Sequence, residues 1–182
     1  FGYDEIVAEY VGRPDNIEIY NRNLELLSEY YGGAEIMFEN DRGEVLSYFK
    51  RRGKLHLLAN QPDNVISKII KDSIVARIKG CHMNERLKDA GEKFILRWLW
   101  TERGKNEDGT MIYNMDLIPS PALLEELIRY HRQGNFDRVM GFMQIMFCIE
   151  ENYEQEIVKE PPSNAVVSFL VQNIDKMFVK RN

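Results

Sequence analysis

The first third of the chain is cut into short apolar runs separated by longer amphipathic stretches, and this rhythm restricts the fold more than any single motif. "EIVAEYVG" at 5–12 alternates, with Ile6, Ala8 and Tyr10 on one side and Val7 and Val11 on the other, as a half-buried strand does. "RPD" breaks it, and Asp15 or Asn16 can cap the next element. There Ile17, Tyr20, Leu24, Leu27 and Tyr31 recur at helical spacing until Gly32 and Gly33 stop it. "AEIMFEND" at 34–41 is a glycine-bounded apolar run that reads as a strand buried on both faces. Val45, Leu46 and Phe49 then predict a helix over 42–52 closed by Gly53, and "KLHLLA" at 54–59 predicts another short strand. The unit is β-α-β-α-β. Its connections are too long for hairpins, so crossover helices and parallel pairing are expected, with Tyr30 and Tyr31 stapling the first helix to the sheet.

Downstream, 60–84 reads as a loop plus a hairpin, and Leu87, Phe94, Ile95, Trp98 and Leu99 predict a helix over 85–102. "RGKNEDGT" at 103–110 reads as an exposed loop. "SPALLEELIRYHRQ" at 120–133 is a helix capped by Ser120 with Pro121 in its first turn. From a cap at Asn135, Val139, Met140, Phe142, Met143, Met146 and Phe147 cover most of a largely buried helix reaching 151, and 165–180 fits a helix or a strand. At 182 residues with 44% hydrophobic content the chain can bury one sizeable core, expected over 1–150, with 151–182 as an extension packing on or beside it.

The net charge of -5 argues against a generic basic nucleic-acid coat but leaves room for a local patch such as "KRRGK" at 50–54. Cys81 and Cys148 match no metal spacing and read as reduced thiols packed like small apolar residues. No apolar run is long enough for a membrane span, no signal peptide is recognisable, and no G-x-x-x-x-G-K-[ST] sequence offers a nucleotide site. His56 reads as a core or edge histidine. Cys81 and His82 stand together without the further ligands that zinc or a catalytic pair would need.

Two acids remain. Glu39 ends the central apolar run, at the carboxyl edge where open α/β sheets bind ligands, and Asp137 occupies the first turn of the buried helix. Converging carboxylates on different elements hold hard divalent cations through oxygen, and a pair of such ions can clamp the attacking and leaving oxygens of a phosphodiester. The spacing equally allows a solvated Glu39 and an Asp137 that only stabilises its helix.

The phrases "EIVAEYVGRP", "YNRNLELLSEYYGGAEIMFEN" and "LLEELIRYHRQGNFDRVMGF", in that order, resemble the C-terminal nuclease domain of phage terminase large subunits, especially those of phages of gut Bacteroidetes. The similarity covers about residues 3–148. It implies an RNase H-like fold, a mixed sheet flanked by helices, with acids holding two Mg²⁺ or Mn²⁺ ions that activate water near neutral pH. Glu39 would be the acid of the central strand and Asp137 that of the late helix, both catalytic and metal-binding. The family's first acid lies on a first strand that would precede Glu5, and the adjacent acids common near the late helix are replaced by Asn135, Phe136 and Arg138. Two acids are therefore carried over, with Asp41 as a substitute for the third, and weak metal binding and weak or absent cleavage are expected of this chain alone.

The resemblance also implies a host bacterial cytoplasmic location and a double-stranded DNA concatemer as substrate. Its partners would be an N-terminal ATPase domain of the same polypeptide, the portal and the small terminase subunit, with no membrane. Lys50, Arg51, Arg52 and Lys54 would track the DNA backbone. The alternatives are a non-catalytic docking domain for the portal or small subunit, and another RNase H-like enzyme such as a resolvase or integrase.

Overall fold

The computed structural model describes residues 4–40, 43–69 and 79–159, with side chains through 154. Among them the architecture is mixed α/β, with six helices and one small two-stranded antiparallel sheet. In chain order these are α1 (Ile17–Tyr30), α2 (Glu44–Arg51), α3 (Asp63–Ile69), α4 (Glu85–Leu99), β1 (Glu102–Lys105), β2 (Met111–Tyr113), α5 (Pro121–Arg129) and α6 (Asp137–Lys159).

The expected strand at 5–12 has no ladder. Its alternation survives only in part: Ile6 packs on the core and Tyr10 is half-buried, Val7 and Val11 are exposed, and Ala8 is exposed against expectation. The segment is held by side chains instead. Arg103 donates to the Asp4 carbonyl, the Tyr153 hydroxyl donates to the Asp4 carboxylate at 2.7 Å, and Arg138 pairs with Glu9 at 2.5 Å.

The run at 34–40 keeps an extended course with pairing reduced to isolated bridges. Ile36 bridges Leu58 in parallel: its N–H donates to the Leu57 carbonyl at 2.7 Å, and the Ala59 N–H returns to the Ile36 carbonyl at 2.9 Å. The two runs then diverge and 79–81 wedges between them. The Cys81 N–H donates to the Phe38 carbonyl and the Asn40 N–H to the Cys81 carbonyl, both at 2.9 Å, while the Gly80 N–H reaches Ala59 at 3.1 Å. The fragment is mixed, since Glu39 and Cys81 bridge in parallel and Asn60 and Lys79 antiparallel.

Gly80 makes the wedge feasible, because its φ of +72° suits glycine and a Cβ there would lie 2.8 Å from the Phe38 carbonyl oxygen. Half of the expected strand at 54–59 is a 3₁₀ turn, Leu55–Leu57, which leaves His56 exposed rather than in a core or strand edge, while Leu57 and Leu58 are buried. Within the expected loop and hairpin at 60–84, residues 63–69 form α3 instead, which buries Val65 and Ile66. Residues 70–78, Asp41 and the tail at 165–180 lie outside the described residues.

The central run divides the core, as an apolar segment buried on both faces must. Ile36 and Phe38 join a small cluster with Tyr48, Phe49, Leu57 and Leu58, whereas Met37 packs on the large cluster built by α3, α4, α5 and α6. In that cluster Phe94 meets Phe147 and Trp98 meets Phe142 edge to face, and the Met-rich stretch is core, with Met143 and Met146 buried. α4 and α6 approach closely at Gly91, where a Cβ would lie 2.2 Å from Met143 Cγ.

Local rules explain most helix ends. Asn16, Asn84 and Ser120 each accept a backbone N–H three residues on, at 3.0, 3.1 and 3.1 Å. The exposed loop expected at 103–110 holds for 106–110, which turns at Gly109 with φ +85°, whereas 103–105 belong to β1 of the β1–β2 hairpin. Asn114 ties it to α4 by donating to the Trp98 carbonyl at 2.8 Å. Tyr30 and Tyr31 are exposed and stack on each other, so they staple nothing to a sheet.

Candidate functional site

Glu39 follows Met37 by two residues in an extended run, so alternation puts both on the side facing the α4–α6 layer. Its side chain is exposed at the carboxyl end of the run, beside the wedge at 79–81. Four residues before Glu39 on the same side, Glu35 acts electrostatically on Cys148 of α6. Burial pushes the Cys148 thiol up to about 11, helped by the charges of Glu35 and Glu151.

Asp137 is exposed in the first turn of α6, about three turns before Cys148. Its neighbour is α1: the Tyr20 phenol has its pKa raised by burial, by Tyr10 and by the Asp137 carboxylate. Tyr10 stacks on Tyr20 with ring centres 5.9 Å apart and accepts a hydrogen bond from Asn23 at 2.7 Å. The two acids are therefore anchored through different neighbours. Among the described residues no group of three or more His, Cys, Asp or Glu side chains converges on a metal position.

The amino end of α6 is not capped by Asn135, as the sequence suggested. Glu126 of α5 does it from another helix, its Oε2 accepting the Arg138 N–H at 3.0 Å and the Val139 N–H at 3.4 Å. Its Oε1 takes Arg138 Nη1 at 2.6 Å, and Arg138 also holds Glu9, which accepts the Ser120 hydroxyl. These hydrogen bonds, the one from Ser120 foremost, hold the Glu9 carboxyl below its usual range. No local signal could have revealed this cap, because donor and acceptor are separated by a loop.

The basic patch is largely matched by acids of α1. Arg51 pairs with Glu18, Arg52 with Glu25 at 2.6 Å, and Lys54 with Glu25 at 2.5 Å and with Glu29. Lys50 is exposed and has no ion pair among the described residues. Glu25 is only 2% exposed, on a buried polar stripe with Asn21 and Ser28. Burial alone would raise its pKa, yet hydrogen bonds from Arg52, Lys54 and Tyr48 outweigh that and bring it down to about 2. The stripe was legible as polar residues at helical spacing, and the apolar reading of α1 passed over it.

Cys81 is fully buried and the adjacent His82 is exposed. A cavity of about 370 Å³, lined by Ile95, Leu96, Leu99, Leu127 and Met143, opens between α4, α5 and α6. Its rim carries Glu92, which accepts bonds from Arg132 at 2.7 and 2.9 Å and from Tyr130 at 3.2 Å.

No helix among the described residues is long and apolar enough to cross a membrane. No protein family, curated protein or solved structure matches the chain.

Proposed function

We propose that the chain is a metal-dependent endodeoxyribonuclease domain of a phage DNA-packaging terminase, with an RNase H-like arrangement in which 36–40 is the acid-bearing strand. The observation that carries this reading is the course of the chain around Glu39. The charge of Glu35 is felt at Cys148, and that of Asp137, at the other end of that stretch of α6, is felt at Tyr20 of α1. The run at 34–40 starts against the last turn of α1, where the Ala34 N–H donates to the Ser28 carbonyl at 3.1 Å, and Ile36 and Leu24 of that helix both pack against the small cluster around Phe49 and Leu58. A run that turns back along α1 from the Cys148 level would carry Glu39 toward the Asp137 end of α6.

The donor chemistry fits. Both are carboxylate residues exposed at element ends, and Mg²⁺ is commonly held by one or two carboxylates with waters and substrate phosphates completing its shell. Bound ions would supply Lewis-acid activation of the scissile phosphate and of water. The chain's own part is to hold the two carboxylates on separate elements and to seat the duplex. Lys50 and the exposed faces of Arg51 and Arg52 offer phosphate contacts near α1 and α2. The ATPase domain, portal and small subunit are partners of the whole protein in this reading.

The internal pairing of Arg51, Arg52 and Lys54 favours the second reading, a docking domain whose charges are structural. Calorimetry with Mn²⁺, followed by nicking of supercoiled plasmid, separates the two. The nuclease reading expects saturable heat and weak Mn²⁺-dependent nicking, both lost in Asp137→Asn and in Glu39→Ala. Absence of heat in the unmodified chain favours docking.

A further inference from the structure

Resting on the nuclease reading, we propose that Glu126 and Arg138 are positioning residues for Asp137. A helix leaves its first backbone N–H groups without internal acceptors, and a carboxylate that takes them fixes the first turn. Here the carboxylate comes from α5. Glu126 accepts the N–H groups of the two residues that follow Asp137, and its second oxygen is gripped by the Arg138 guanidinium at 2.6 Å. Arg138 also reaches Glu9 of the amino-terminal segment, and Glu9 accepts a bond from Ser120, the residue that caps α5. The circuit Ser120, Glu9, Arg138, Glu126 closes on α5, where both its ends lie. It ties α5, α6 and the segment at 4–10 together at the turn from which Asp137 projects.

The same circuit decides which oxygens stay available to a cation. Glu9 and Glu126 are the other carboxylates tied to this turn, and each has Arg138 on one oxygen and a further donor on the other. Asp137 has neither contact, and it is exposed. Arg138 thus withdraws two carboxylates from metal binding and leaves the third presented on a fixed backbone, the kind of support that holds a ligand in position.

The test compares Glu126→Gln, Glu126→Ala and Arg138→Lys with the unmodified chain, reading amide exchange at Arg138 and Val139 without metal and Mn²⁺ affinity by calorimetry. Glu126→Ala is expected to speed exchange at both amides and to weaken Mn²⁺ binding about tenfold, as loss of outer support does at metal sites. Glu126→Gln keeps a carbonyl acceptor for the backbone, so it should protect the amides and preserve most of the affinity. Arg138→Lys keeps the charge but loses the fork that spans two carboxylates, so it should weaken Mn²⁺ about tenfold with the backbone cap intact. Faster exchange in Glu126→Ala with unchanged Mn²⁺ affinity, or unchanged affinity in Arg138→Lys, overturns the positioning role and leaves the nuclease reading standing. No Mn²⁺ binding by the unmodified chain overturns the reading itself and the inference with it.

Discussion

Gly80 lies so close to Phe38 that a Cβ would sit 2.8 Å from the Phe38 carbonyl oxygen, the same oxygen that accepts the Cys81 N–H at 2.9 Å. The contact seats 79–81 against the run that ends in Glu39. Gly80→Ala meets both a backbone clash and a φ of +72°, and should lower stability by about 2 kcal/mol in urea denaturation. A midpoint unchanged from the parent would show that the wedge is not required.

Glu25 should govern the acid limb of stability. Its folded pKa, about 2, lies below the ordinary value of 4.5, so the stabilisation it gives is fully present above about 4.5 and is lost as pH falls toward about 2. Glu25→Gln should flatten that part of the stability–pH curve. Glu25→Ala, which strands the buried Tyr48 hydroxyl, should cost about 2 kcal/mol at neutral pH. An unchanged acid limb in Glu25→Gln would contradict the assignment.

Charge reversal separates the members of the basic patch. Lys50→Glu should reduce the salt slope of DNA binding by about one, because it removes a cation with no internal partner among the described residues. Lys54→Ala, whose ammonium already serves Glu25 and Glu29, should leave the slope nearly unchanged and shift the thermal midpoint instead. Equal slopes in both variants and the parent would make the patch mere surface.

With its thiol pushed up to about 11 by burial, Glu35 and Glu151, Cys148 should react slowly with a thiol reagent at neutral pH in the folded chain and readily once unfolded. Rapid native-state labelling would show that the Cys148 thiol is not buried on α6 as described.

How much of this was legible in the sequence depended on the range of the interactions. Asn16, Ser120 and the stops at Gly32 and Gly33 act within a turn of their own position, and each marks a helix boundary as read. The two-sided run at 34–40 was legible because apolar residues faced both ways, and Ile36 and Met37 do enter different clusters. Strand pairing was not legible. Whether 5–12 joins a ladder depends on a neighbour elsewhere in the chain, and here side chains such as Arg103 and Tyr153 hold the segment instead. The hairpin after α4 was missed because β1, "ERGK", is polar and mostly exposed, so it lacks the alternation that marks a strand. For the site, Glu39 and Asp137 were visible as acids at element ends. The pairing of Arg51, Arg52 and Lys54 with α1, and of Arg138 with Glu126, arises only from tertiary contact.

The central claim is that the carboxylates of Glu39 and Asp137 serve one cation. Line broadening by substoichiometric Mn²⁺ in the amide spectrum tests it directly and tolerates weak binding. The claim predicts that the amides of residues 39–40 and 137–139 broaden together and that both groups recover in Asp137→Asn. Broadening confined to one of the two groups, or centred elsewhere on the chain, would contradict it.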